Sequence, residues 1–150
     1  MVLTNQPPVA DGERNLLIHK IAEQPVSIVG SRDLVGVGGS LADLLSRLPL
    51  VLPIVGSALR DDLDALFDRL GIVPNVAAEV EDMAMMRLLV RESVGLACLP
   101  PIVIRDELAQ GLLVEAAVLP SLYERFYAVT LERRFKNPLL SSLIVVSSTE

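Results

Sequence analysis

The sequence has few of the residue types on which most enzymes and metal sites depend. Its 150 residues include one cysteine, one histidine and no tryptophan. A single cysteine excludes an internal disulfide, as is typical of proteins from a reducing compartment. The histidine, His19, alternates with apolar residues in NLLIHKI, where a structural role is more common than a catalytic or metal-binding one. We therefore predict that the chain is not an enzyme and holds no metal and no cofactor.

Catalytic motifs are incomplete as well. Cys98 lies inside the apolar run GLACLP, which is typical of a buried and inert thiol. The run IVGSA lacks the G-x-S-x-G spacing of a nucleophile elbow, and GVGGS lacks the lysine that follows in a phosphate-binding loop. Acid pairs occur, but their positions in the sequence do not show which carboxylates would converge. We predict no catalytic residues.

Positive charge is scarce, since 13 Lys and Arg residues stand against 19 Asp and Glu residues, a net charge of −6. The densest basic group is Arg133, Arg134 and Lys136, which is more typical of a solvated strand end than of a DNA contact. The most apolar stretch, LPLVLPIVGSAL, is short and contains Pro49 and Pro53, so it predicts no membrane span. No signal peptide is visible at the start. We predict a cytoplasmic protein that does not bind DNA by itself and does not contact a membrane.

What the sequence does contain is an alternation of short apolar runs with helical segments. The runs PVSIVG, LVLP, NVAAEV, GLACLP, LLVEA and ERFYAVTLE are typical of strands, and the segments between several of them have helical periodicity. This alternation predicts an α/β fold with a largely parallel sheet. Within the helix predicted over residues 57–70, five apolar residues fall on one stripe: Leu59, Leu63, Leu66, Phe67 and Leu70.

Two polar residues each follow a predicted strand directly and open the next helix. Ser57 and Asp82 are residue types that cap helices well. In an open α/β sheet, helix N-termini and strand C-termini face one crevice, where backbone N–H groups bind anions. We expect Asp82 to serve mainly as a cap, because its carboxylate would repel an anion. Ser57 can cap its helix and also face a ligand, and both interpretations stay open.

The order and spacing of these motifs over nearly the whole chain carry a family resemblance. The run from LPLVLP through ALRDDLDALFDRLGIVPNVAAEVEDMAMMRLLVRESVGLACLPPIVIRDELAQGLL, with the tail YERFYAVTLERRFKNPLLSSLI, resembles the effector-binding domain of LysR-type transcriptional regulators. The segments VLTNQPP, EVEDMAMM and ERFYAVTLERR are most similar to the NhaR-type subgroup.

The resemblance implies a fold similar to type 2 periplasmic binding proteins, with two lobes and a small anionic effector bound between them. Residues 1–29 would be a partial first lobe with a hinge strand, and residues 30–124 the complete second lobe. Residues 125–150 would supply the returning hinge strand and the C-terminal helix of the first lobe. The family begins with a DNA-binding helix-turn-helix that has no counterpart here, so we expect the sequence to be a fragment.

The resemblance also implies site residues and partners. The positions that match effector contacts of the family are Thr4, Asn5, Gly56, Ser57, Glu81, Asp82 and Met83. Members of the family pair their effector domains, which implies a homo-oligomer in which helix 57–70 contributes through its lobe surface and leaves its apolar stripe uncovered. DNA would be reached only through the absent N-terminal domain. The alternative reading is a stand-alone solute-binding domain or an α/β enzyme domain of similar build.

Overall fold

The computed structural model describes residues 1–6, 16–36 and 39–131. Its strands are β1 (Val2–Thr4), β2 (Leu16–Ser31), β3 (Pro49–Pro53), β4 (Asn75–Val80), β5 (Leu96–Leu99) and β6 (Leu113–Leu131). Its helices are α1 (Arg32–Val35), α2 (Leu41–Arg47), α3 (Ala58–Leu70), α4 (Met83–Arg91) and α5 (Arg105–Ala109), the last preceded by a 3-10 turn at Pro101–Ile104. The basic group at residues 133–136 and the helix expected after residue 138 lie outside the described residues.

The strands form one mixed six-stranded sheet in the order β1-β6-β2-β5-β3-β4. The predicted α/β class is confirmed, but the expectation of a largely parallel sheet was wrong. Strand β3 is parallel to β4 and β5, whereas β2 pairs antiparallel with β5 and β1 pairs antiparallel with β6. An apolar run in a sequence predicts a strand without fixing its direction, because parallel and antiparallel strands bury similar side chains.

The chain divides into two compact units, a larger one over Pro25–Tyr123 and a smaller one made of Met1–Gln24 with the chain from Glu124 onward. The two strands expected at LLVEA and ERFYAVTLE are one continuous strand, β6, with Ser121 at a φ of 65° within it. Among the described residues, no helix is long and apolar enough to cross a membrane.

The core of the larger unit lies on both faces of the sheet. Along β3, Leu50 and Leu52 belong to one buried cluster and Val51 to the other, as the period of two in a strand requires. Helices α2 and α3 pack on the first face, through residues such as Leu45 and Leu63. Helix α4 packs on the second face, through residues such as Val90. Helices α3 and α4 therefore cover opposite faces of the sheet.

The apolar stripe of α3 packs inward. Leu59, Leu63, Leu66 and Phe67 are buried in the cluster that covers the first face of the sheet, and only Leu70, at 37% exposure, remains open at the helix end. The expectation of an uncovered stripe was therefore wrong, because the stripe is covered by strands of its own unit. Helical spacing shows that a helix is amphipathic, but it does not identify the neighbour that covers it.

Strand β4 is the last strand in the order of the sheet and carries an irregularity. Leu50 pairs with Val76, but the next residue of β3, Val51, pairs with Ala78. Ala77 is thus an extra residue on β4, a bulge that bends the strand and raises its local twist.

Candidate functional site

The carboxyl ends of β3 and β4 lie side by side. Pro53 pairs with Val80, and the amide of Ile54 donates to the carbonyl oxygen of Val80 at 3.0 Å. After β3 the chain enters α3 on one face of the sheet, and after β4 it enters α4 on the other face. Neighbouring parallel strands whose following helices diverge in this way leave a crevice at the sheet edge. This edge lies wholly within the larger unit.

Five of the predicted site residues meet at that edge, on two short loops. The β3–α3 loop carries Gly56 and Ser57, and the β4–α4 loop carries Glu81 and Asp82, followed by Met83 at the start of α4. Gly56 has a φ of +90°, a conformation that residues with a Cβ rarely adopt. The structure thus brings together two loops whose residues are 24 to 27 positions apart in the sequence.

Ser57 is the N-cap of α3, as predicted. Its hydroxyl oxygen accepts a hydrogen bond from the amide of Arg60 at 3.2 Å, and the same hydroxyl donates to the carbonyl oxygen of Ile54 at 3.0 Å. Because the hydroxyl has a single proton and that proton is used within the loop, Ser57 shapes the loop rather than donating outward. Its direct contact with a ligand stays a prediction.

Asp82 is the N-cap of α4, also as predicted. Its Oδ1 accepts a hydrogen bond from the amide of Met85 at 2.8 Å. The side chains of Glu81 and Asp82 are exposed, and Met83 is half-buried. The carboxylate of Asp82 is therefore turned back toward its own helix, which leaves the remaining N–H groups of the first turn at the edge of the crevice.

A buried cation is bonded to both strands near the ends where the two loops begin, and sequence reasoning missed it. Arg60, on the first turn of α3, has a side chain only 10% exposed. Its Nη1 donates to the carbonyl oxygen of Pro53 at 2.9 Å and to Glu79 Oε1 at 2.6 Å, and its Nε donates to Asp64 Oδ1 at 2.9 Å. Burial alone would lower the pKa of Arg60, but the hydrogen bonds to Glu79 and Asp64 raise it. Only the spacing to Asp64, one helical turn, was visible in the sequence.

A second buried ion pair anchors α4. Glu107 of α5, with a side chain 4% exposed, accepts a hydrogen bond from Arg87 Nε at 2.7 Å, and Arg91 Nη1 lies 3.9 Å from the same oxygen. Burial, the largest single influence, would raise the pKa of Glu107. The hydrogen bond from Arg87, a backbone hydrogen bond and the charges of Arg87 and Arg91 together outweigh it and lower the pKa below its ordinary value. Sequence reasoning missed this pair as well, because its members lie on different helices.

The two remaining predicted residues belong to the smaller unit. Thr4 Oγ1 donates to the carbonyl oxygen of Gln6 at 2.9 Å and accepts from the amide of Gln6 at 3.1 Å. Asn5 Nδ2 donates to Oε1 of the buried Glu124 at 2.9 Å. Their assignment as ligand contacts stays a prediction of the resemblance.

The residues suited to redox or metal chemistry belong to β2 and β5 and not to the two loops. Cys98 is fully buried in β5, and burial raises the pKa of its thiol to about 12, so the thiolate does not form at neutral pH. His19 is half-buried in β2. Across residues 1–6, 16–36 and 39–131, no group of three or more His, Cys, Asp or Glu side chains is placed to hold a metal ion.

Comparisons with known proteins identify one family and several solved structures that resemble this chain. The family profile described as LysR substrate binding domain matches residues 1–146. A sequence comparison with curated proteins finds no significant match. Solved structures similar to this chain include the CcmR regulatory domain of Synechocystis PCC6803 in complex with 2-PG, with a TM-score of 0.68 and 19% identity over 97% of this chain and 72% of that one.

Two further structures are similar in the same way. The effector binding domain of QuiR in complex with shikimate has a TM-score of 0.68 and 19% identity over 93% of this chain and 68% of that one. Full-length CbnR with its target DNA has a TM-score of 0.66 and 19% identity over 97% of this chain but 51% of that one. At such identities the structural likeness establishes the fold.

Proposed function

The chain belongs to the LysR substrate binding domain family, and we propose that it binds a small anionic effector at the crevice edge of its larger unit. Domains of this family are effector-binding regulatory domains of LysR-type transcriptional regulators and are not enzymes. The residues that we assign to the effector here are Gly56, Ser57, Glu81, Asp82 and Met83. The observation that carries this proposal is the meeting of two helix N-termini at the adjoining ends of β3 and β4.

The electrostatics of the edge support a small anion. Each helix N-terminus stabilises a nearby negative charge by about 0.3–1 kcal/mol, and by more where water is excluded. Ser57 and Asp82 each cap one N–H group, at Arg60 and Met85, so other N–H groups of both first turns remain for a ligand. The exposed carboxylates of Glu81 and Asp82 oppose a large or multiply charged anion. A compact carboxylate fits this balance best, and shikimate, bound by the QuiR domain, is a carboxylate.

We also propose the lobe assignment implied by the family, with residues 30–124 as the second lobe of a type 2 periplasmic-binding-protein-like fold. Residues 1–29 and 125–150 then belong to the first lobe. The division of the chain after residue 24 and again after residue 123 supports this proposal. Thr4 and Asn5 are proposed as effector contacts on the strength of the family resemblance alone.

Two features of the intact regulator are proposals as well. The chain matches about half of full-length CbnR, a structure solved with target DNA, so we assign DNA binding to a separate N-terminal domain of an intact regulator acting in the cytoplasm. We retain the NhaR-type subgroup as a proposal that rests on the segments VLTNQPP, EVEDMAMM and ERFYAVTLERR.

A charge placed at the crevice edge tests the site. Small carboxylates, including shikimate, are screened together with 2-PG for thermal stabilisation of the full chain, and each one that stabilises it is titrated calorimetrically. Val55→Glu adds a negative charge beside Gly56, at a position 69% exposed in the parent chain. We expect it to weaken binding about ten-fold by repulsion.

Val118→Glu, at a valine 57% exposed in β6, is the matched control and should leave affinity unchanged. Equal affinity of both variants and the parent would move the site away from this edge. Stabilisation by uncharged analogues alone would rule out the anionic class.

A further inference from the structure

We infer that Arg60 is a positioning residue that holds the two loops of the crevice edge in place without contacting the effector. The inference rests on the proposed function only in calling these loops an effector site. The structural observation is a single guanidinium group that bonds to both strands at the points where the loops begin.

The contacts of Arg60 Nη1 span the two strands. One goes to the carbonyl oxygen of Pro53, the last residue of β3, at 2.9 Å. The other goes to Oε1 of Glu79, the residue before the last of β4, at 2.6 Å. Glu79 precedes Glu81 by two residues, and Pro53 precedes the loop that ends at Ser57. One nitrogen therefore fixes the starting points of both loops relative to each other.

The Nε and the backbone amide of Arg60 also donate hydrogen bonds. Its Nε donates to Asp64, one turn along α3, which sets the plane of the guanidinium group. Its backbone amide donates to the Ser57 hydroxyl, and that hydroxyl donates to the Ile54 carbonyl oxygen. The β3–α3 loop is thus bonded to Arg60 through both the main chain and the side chain.

An ordinary surface ion pair would not have these properties. The carboxylates of Asp64 and Glu79 are 47% and 44% exposed, so the Coulomb attraction in each pair is well screened. The guanidinium itself is nearly buried, and it also donates to the Pro53 carbonyl oxygen. Lysine cannot replace it, because an ammonium group lacks the planar fork that donates in several fixed directions.

Amide hydrogen exchange of the full chain, followed by NMR without any effector, tests this role. The amide of Ile54 bonds to Val80 between the two strands, and the amide of Met85 bonds to Asp82 at the second loop. The amide of Gln110, bonded to Asp106 in α5, is a distant reference. In Arg60→Met, exchange at Ile54 and Met85 should be at least about ten-fold faster, because the variant loses the three hydrogen bonds that the guanidinium group donates and the loss of a single one would give about that factor. Exchange at Gln110 should not change.

Three further variants separate positioning from general stability. Glu79→Ala removes the carboxylate that accepts a hydrogen bond from Arg60 Nη1, and it should accelerate exchange at the Ile54 amide. Glu79→Gln keeps a side-chain oxygen that can accept this bond, so exchange should proceed at the parental rate. Arg69→Met removes an exposed arginine from the last turn of α3 and is the matched control.

The inference fails if exchange at Ile54 and Met85 in Arg60→Met stays at the parental rate. It also fails if exchange at all three amides rises by one common factor, which would mark Arg60 as a general stabiliser. Because these measurements involve no ligand, a failed carboxylate screen would leave them unaffected.

Discussion

The carbonyl oxygen of Ile54 accepts a hydrogen bond from the hydroxyl of Ser57 at 3.0 Å, while the amide of Ile54 donates to the carbonyl oxygen of Val80 on the neighbouring strand, also at 3.0 Å. One peptide segment therefore links the cap of α3 to the end of β4. A change in the cap of one helix should be felt in the strand that leads to the other.

Ser57→Ala removes a cap and the bond to the Ile54 carbonyl oxygen. We expect the free energy of unfolding to fall by about 1–2 kcal/mol, measured by urea denaturation at neutral pH. Ser46→Ala, at an exposed position in α2, is the control and should change it by less than about 0.5 kcal/mol. Equal losses in the two variants would mean that the buried cap contributes no special stability.

Two substitutions of Asp82 distinguish its role as a helix cap from the effect of its negative charge on binding. Asp82→Ala should lower the free energy of unfolding by about 1 kcal/mol, whereas Asp82→Asn keeps a capping oxygen and should leave it almost unchanged. Since Asp82→Asn also removes a negative charge from the edge, it should tighten the binding of a stabilising carboxylate. If Asp82→Ala abolished binding without lowering stability, the carboxylate of Asp82 would bind the effector directly and would not serve mainly as a cap.

The Arg87–Glu107 pair predicts a pH dependence. The pKa of Glu107 is lower in the folded chain than its ordinary 4.5, so its contribution to stability is present above pH 4.5 and is lost as the pH falls through the folded pKa. In Arg87→Met the carboxylate keeps its burial but loses its hydrogen-bonded partner, so the free energy of unfolding at pH 7 should fall by about 3 kcal/mol.

In Arg87→Met, acidification should also restore part of the free energy of unfolding that the substitution removes at pH 7. Because burial is the largest single influence on Glu107, we expect its pKa to rise once Arg87 is removed, and protonation then favours the folded chain as the pH falls. The stability difference between the parent chain and Arg87→Met should therefore narrow between pH 7 and pH 4, as measured by urea denaturation across that range. A constant difference would show that Glu107 is not the titrating group.

The thiol of Cys98 should be unreactive in the folded chain. With its pKa raised to about 12 by burial, Cys98 should not react with a disulfide reagent at pH 8, and it should react fully in concentrated urea. Rapid stoichiometric labelling under native conditions would show that β5 opens easily.

Self-association should use the outer face of α3. Its apolar stripe is buried, so the available surface is polar and includes Asp61 and Asp62. We expect dimers or larger species in sedimentation at micromolar concentration, weakened by Asp62→Lys more than by the control Glu92→Lys at the C-cap of α4. A single monomeric species in the parent chain would contradict this prediction.

Local interactions could be predicted from the sequence, and distant ones could not. The caps at Ser57 and Asp82 involve residues three positions apart, so residue type and position were enough to predict them. The Arg60–Glu79 contact spans 19 positions and two elements, and neither residue looks unusual in its own segment. The direction of β2 and the burial of the α3 stripe likewise depend on which elements become neighbours in the folded chain.

The bulge at Ala77 has a consequence for the behaviour of the protein at high concentration. A straight edge strand presents a row of unpaired backbone N–H and C=O groups, with which a strand of another chain can pair to start a fibril. On β4 the extra residue breaks the even spacing of those groups and turns the strand out of the plane. The border of the sheet at β4 is therefore a poor template for amyloid growth, although Asn75–Val80 contains no lysine or proline that would otherwise protect it.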